Sequence, residues 1–152
     1  YYERGAETGK SLYSHYRWMP ELTIPMCHHI VQICDINNND TILDFGCAKG
    51  YVTYGLRLLG CDAHGVDISK YSISKAPKEV EEHLTLIKPY GNFPKEKYTW
   101  GICKDILEHI PYDGIEKQLK IIHQHCDNIF VIVPLGDGKK YYISLMRIRF
   151  QQ

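Results

Sequence analysis

Apolar and polar positions along the chain fall into two recurring patterns. Leu22, Met26, Ile30, Ile33 and Cys34 recur at three- and four-residue steps and predict a helix, with Pro25 in its first turn. The run Asn37-Asn38-Asn39-Asp40 is a turn. After it, short apolar runs alternate with amphipathic ones. Thr41–Phe45 (TILDF) reads as a strand, Gly46–Gly50 as a small-residue loop, and Tyr51–Leu59 as a helix closed by Gly60. Ala63–Ile68 predicts a second strand, and Ser69–Glu82 a helix with a serine cap and a break near Pro77. Leu84–Ile87 and Thr99–Lys104 predict the third and fourth strands. Asp113–Cys126 is a helix with Ile115, Leu119, Ile122 and Cys126 on one face, and Asn128–Pro134 is a fifth strand, apolar on both faces.

Strands alternating with helices predict an α/β fold: a parallel, Rossmann-like sheet with right-handed crossovers, strand order 3-2-1-4-5 and helices on both faces. In such sheets ligands bind outside the carboxyl ends of the strands. The stretch between the third and fourth strands is short, so the helix usual there is expected to be missing. Only 18 residues follow Pro134, too few for a helix and two further strands. The fifth strand would then be an apolar edge, covered either by the tail Tyr141–Phe150 or by a second chain in a homodimer.

Composition narrows the function classes. The 152 residues carry 18 Lys plus Arg and 18 Asp plus Glu, so no broad basic surface points to nucleic acid or an anionic membrane. No apolar run reaches the ~18 residues of a spanning helix, and the first ten residues lack a signal-peptide pattern. Cys27, Cys34, Cys47, Cys61, Cys103 and Cys126 include no C-x-x-C pair, which fits reduced thiols in a cytoplasmic protein. Tyr13, Tyr16 and Trp18 cluster before the first helix.

The segment Asp44-Phe45-Gly46-Cys47-Ala48-Lys49-Gly50 links a strand to a helix. Gly46, Ala48 and Gly50 let a ligand approach the backbone, and the start of the helix is expected to offer free amides to it. Asp67 ends the next strand, about 20 residues further on, where a carboxylate can accept two hydrogen bonds from a ribose diol. Ile68 beside it could lie against an adenine face. A dinucleotide needs G-x-G-x-x-G, and this loop has no glycine two places after Gly46, which favours a nucleoside without pyrophosphate.

The series LDFGCAKG, GVDIS and KDILEHIP resembles, in identity and order, the class I S-adenosylmethionine-dependent methyltransferases over roughly residues 38–135. The resemblance implies one methyltransferase domain over 1–152: an N-terminal aromatic segment and helix (1–37), a cofactor-binding core (38–135) and a short tail (136–152). It implies S-adenosyl-L-methionine as cofactor. Asp44, Gly46, Cys47, Ala48 and Gly50 would line its methionine side, Asp67 would hold the ribose, and Ile68 and Lys104 would complete the site. The acidic adenine contact frequent in the family after the third strand is absent from Ile87–Asn92, leaving backbone, Asn92 or apolar packing.

Lys104–Pro111 follows the fourth strand and should face the transferable methyl group. Asp105 and His109 are the available general bases, and would share one face if 105–109 formed a helical turn. The stretch also resembles the ubiquinone-pathway O-methyltransferases, whose E-x-x-E-H can hold a divalent metal at positions matching Asp105, Glu108 and His109. A structural role for Glu108 and His109 competes with both, and no metal is assigned. The expected function is methyl transfer to an oxygen or nitrogen of a small molecule. A catalytically impaired cofactor-binding or association domain is the alternative. A nicotinamide oxidoreductase fits the loop poorly, and spermidine synthases differ after the fourth strand.

Overall fold

The computed structural model describes residues 15–91, 93–135 and 142–149. Six strands form one sheet in the order β3-β2-β1-β4-β5-β6: β1 (Thr41–Phe45), β2 (Asp62–Asp67), β3 (Leu84–Leu86), β4 (Tyr98–Lys104), β5 (Cys126–Leu135) and β6 (Tyr142–Arg149). The first five pair in parallel, and β6 runs antiparallel to β5 from Asn128↔Arg149 to Leu135↔Tyr142. The predicted 3-2-1-4-5 order therefore stands, with one antiparallel strand from the tail added at its end. With β4 on one side and β6 on the other, β5 has no open ladder. The edge expected there, for the tail or a second chain, is taken by the tail.

Helices lie on both faces. Cys27, Ile30 and Cys34 of α1 (Pro20–Cys34) and Leu56 of α2 (Tyr51–Leu58) pack on Ile42, Ala63, Trp100, Ile102, Phe130 and Ile132. On the opposite face Ile122 of α5 (Tyr112–His125) packs with Leu43, Val66, Cys103, Ile129 and Val131. Alternation of side chains along each strand makes this division: Ile42 and Leu43 are neighbours in sequence and lie in opposite cores. α1 begins at Pro20, earlier than the periodicity implied, so Pro25 lies inside the helix rather than in its first turn. Proline suits the helix start, and at Pro25 only one intrahelical N–H is lost.

The single helix expected over 69–82 is two short ones, α3 (Lys70–Ile73) and α4 (Lys78–Glu81). Ser69 caps the first by accepting from the Ser72 amide, and Pro77 forces the break because it cannot donate and restricts the residue before it. No helix joins β3 to β4 among the described residues. The connection instead covers the sheet with side chains. Phe93 packs edge-on to Phe45 at 5.9 Å and to His125 at 4.9 Å, and Lys95 reaches back to Asp62 at 2.7 Å. Asp62 also takes His64 (2.9 Å) and Arg57 (3.5 Å), and the Lys95 hydrogen bond holds its carboxyl below the usual range. No described helix is long and apolar enough to cross a membrane. No disulfide joins any of the six cysteines.

Gly65 of β2 lets α2 and β3 close on the sheet. A Cβ there would stand 2.6 Å from Thr53 Oγ1, 2.7 Å from Leu84 and 2.8 Å from Cys47. We expect Gly65→Ala to cost about 1–3 kcal/mol, the usual penalty for overpacking a filled core. Urea denaturation monitored by circular dichroism measures this, and an unchanged midpoint would contradict the packing described.

Candidate functional site

The carboxyl ends of β1, β2 and β4 meet at one edge of the sheet because their pairing is parallel and in register: Asp44↔Gly65, Phe45↔Val66 and Phe45↔Cys103. The turn after β1 has positive φ at Gly46 (78°), Ala48 (50°) and Gly50 (75°). Glycine meets the left-handed region without cost, and alanine only with strain. What holds Ala48 there is a hydrogen bond: its amide donates to Asp67 Oδ2 at 2.8 Å. Asp67 Oδ1 accepts from the Ser69 amide at 2.7 Å. The carboxylate at the end of β2 thus ties its own turn to the loop after β1.

The amides of Gly46, Cys47 and Gly50 also turn inward. Those of Gly46 and Cys47 donate to the Val66 carbonyl at 2.9 and 3.0 Å, and that of Gly50 to Cys47 at 2.7 Å. For these loop amides this corrects the expectation of free donors, and at the helix start the Thr53 amide is likewise engaged, by Asp44. The amides of Gly46, Cys47, Ala48 and Gly50 fasten the turn to β2 and to itself.

Asp44 is 2% exposed and does not line an open surface. Its Oδ2 accepts from both the amide (3.0 Å) and the hydroxyl (2.7 Å) of Thr53, so it braces the first turn of α2 from beneath. Burial pushes its carboxyl up to about 6, against the lowering effect of the Thr53 hydrogen bonds, and the Asp67 charge pushes it further. Burial likewise raises the Cys47 thiol, so this loop cysteine is not a thiolate. Two nearly buried carboxylates, Asp44 and Asp67, are therefore held by neutral N–H and O–H groups, with Lys104 the cation that lowers Asp44.

Beside the loop, Asp105 follows β4 with φ 51°, and its amide donates to Ile132 at 2.9 Å. This bend turns Ile106 over Gly46, where an added Cβ would lie 2.7 Å from it. It also prevents the helical turn expected over 105–109. Only Leu107–His109 forms a 3-10 turn, so Asp105 and His109 do not share a helical face. Lys104 pairs with the Asp105 carboxylate, both side chains about a quarter exposed, while Glu108 and His109 are exposed. Among the described residues no three His, Cys, Asp or Glu side chains are arranged to hold a metal ion, so Asp105, Glu108 and His109 do not assemble the set that the resemblance to ubiquinone-pathway O-methyltransferases implied. Ile68, 61% exposed, and Leu86, 47% exposed, stand at the rim formed by β2 and β3. Asn92, the other expected adenine contact, lies outside the described residues, as does Tyr13.

Sequence reasoning missed three residues here. Thr53 carries no motif signal, and its partnership with Asp44 emerges only when α2 packs on β1. Ile106 reads as a filler inside KDILEHIP. Lys49 was visible as the one long side chain in a small-residue loop. It is 5% exposed, and its ammonium donates to the Tyr16 carbonyl at 2.8 Å.

A family profile described as a methyltransferase domain matches residues 19–151. The ubiquinone biosynthesis O-methyltransferase of Hydrogenovibrio crunogenus (strain DSM 25203 / XCL-2) is 29% identical over 80 residues, covering 48% of this chain. That match spans only 33% of the relative's length. Among solved structures, coclaurine N-methyltransferase bound to N-methylheliamine and SAH superposes with a TM-score of 0.62 at 18% identity, over 73% of this chain and 35% of that one. Magnesium protoporphyrin IX methyltransferase from Synechocystis PCC 6803 with bound SAM superposes with a TM-score of 0.60 at 21% identity, over 78% of this chain and 61% of that one.

Asp44 has a folded-state pKa raised above its unfolded value, so its contribution to stability is fully present below about pH 4 and is lost as pH rises through about 6. The stability of wild type relative to Asp44→Asn should therefore fall between pH 4 and pH 7, by on the order of 2 kcal/mol. Paired urea denaturations at each pH check this, the subtraction cancelling groups common to both proteins. A difference that stays flat or grows with pH would contradict the buried, neutral-partnered carboxylate.

Proposed function

The chain belongs to the methyltransferase-domain family, and from that premise we propose that it binds S-adenosyl-L-methionine at the β1–α2 loop and transfers its methyl group to an oxygen or nitrogen of a small molecule. The observation that carries this reading is the Asp67 carboxylate at the end of β2. Each of its oxygens accepts one backbone N–H, and an ionised carboxylate offers about four lone-pair sites, which leaves capacity for a diol. The charge balance fits as well. Asp44 and Asp67 are nearly buried with neutral partners, and a ligand bearing a sulfonium and an ammonium supplies the missing positive charge.

Bound there, S-adenosylmethionine supplies an activated methyl group. The chain's own residues then have to bind, orient and exclude water. Asp67 would hold the ribose, and the turn from Gly46 through Cys47 and Ala48 to Gly50 would take the methionine end. Asp44 acts indirectly, by fixing α2 through Thr53. Exposed Ile68 and Leu86 offer apolar packing for adenine in place of a family acid. Lys104 closes the β4 side of the site and is neutralised by Asp105.

The relatives named above include both an O- and an N-methyltransferase, which supports a nitrogen or oxygen acceptor without choosing between them. For a hydroxyl acceptor a base is needed, and Asp105 and His109 are the groups to hold it. Asp105 is paired with Lys104, and His109 is exposed.

Titration calorimetry with S-adenosylhomocysteine tests the cofactor assignment. Wild type should bind, and Asp67→Ala should lose about 1.5–3 kcal/mol of affinity, roughly ten- to a hundredfold, from hydrogen bonds to a charged group. No heat from folded wild type at millimolar ligand would end the assignment. Once an acceptor is found, His109→Ala with full turnover would remove His109 as the base.

A further inference from the structure

Lys49 occupies a place in the loop where its neighbours are small. A lysine is almost never fully buried without a partner, and this one is 5% exposed with its ammonium on the Tyr16 carbonyl. The same ammonium stands 5.7 Å from the centroid of the Tyr16 ring. The contact continues along the helix that the loop opens. Tyr16 stacks on Tyr51 at 5.0 Å, and Trp18 packs on Tyr51 at 5.8 Å and Tyr54 at 4.9 Å. Residues 16–18 thus lie along the loop and the first turn of α2, gripped by one cation and two tyrosines.

We propose that Lys49 is a positioning residue that latches this segment across the Gly46–Gly50 loop, so that cofactor binding and seating of the segment stabilise one another. The proposal rests on the reading that the loop holds S-adenosylmethionine. Its physical basis is shared ordering. The loop carries three residues with positive φ, and a cross-link from its centre to Tyr16 restricts loop and segment together. A ligand that fixes the loop then finds the segment already ordered, and a seated segment lowers the cost of fixing the loop. Coupling of this kind is reciprocal.

Arg17, exposed within the segment, provides a tryptic site that reports on it directly. In wild type, S-adenosylhomocysteine should slow cleavage after Arg17, followed by mass spectrometry. Lys49→Met keeps most of the aliphatic stem and removes the donor. It should be cut at least about fivefold faster, bind S-adenosylhomocysteine at least about fivefold more weakly, and lose the ligand's protection of the Arg17 bond. A lysine that only filled space would leave that protection intact. Tyr16→Ala removes the ring that faces the Lys49 ammonium and packs on Tyr51 while leaving the loop's own sequence unchanged, and decides the matter alone if Lys49→Met does not fold: loss of ligand protection supports the latch, and unchanged protection overturns it. If wild type binds the ligand and both variants bind it equally with equal protection, the latch is wrong and the cofactor site stands. If wild type takes up no ligand, the cofactor reading fails and the coupling fails with it.

Discussion

The hydrogen bond from the Ala48 amide to the Asp67 carboxylate is the constraint on which the site depends. The residue after Cys47 must adopt a left-handed backbone that alanine takes up only with strain, and the bond to Asp67 holds it there. The same carboxylate closes the turn at Ser69, from which α3 starts. Loop, strand end and following helix are thereby placed relative to one another by a single side chain. Parallel pairing of β1 with β2 makes this reach short, because it brings both carboxyl ends to the same edge.

Around that bond the fold gathers residues from separate parts of the chain. Ile106 lies over Gly46, and Leu84 lies against Gly50, where an added Cβ would come within 2.6 Å. Glycine is required at these positions by φ and by contact together, because Ile106 and Leu84 lie directly against the loop. Its inward-turned amides follow from the same closeness, since a buried N–H without a partner is costly.

The absence of a helix between β3 and β4 among the described residues changes how one face is covered. Phe93, Tyr90 and Lys95 take its place, through Phe45, the α5 residues Gly114 and Lys117, and Asp62 respectively. Ile68 and Leu86 are left exposed at the rim beside it. A shortened crossover and an apolar rim are two aspects of the same economy of chain.

The sequence by itself determined the strand order, the loop after β1 and the acid after β2. Periods of two and near four dictate which face each element buries, and glycines with small neighbours are legible wherever backbone must bend sharply or lie close. It also carried the expectation of the missing crossover helix and of a tail at the sheet edge. Only the tertiary structure decided that Asp44 serves Thr53 and not an open surface, that the loop amides turn inward, and that Asp105 bends the chain so that 105–109 is not one helical turn. It alone paired Lys49 with a carbonyl 33 residues away in sequence. These outcomes depend on which groups burial brings within hydrogen-bond distance, and burial is a property of packed elements that no local pattern encodes.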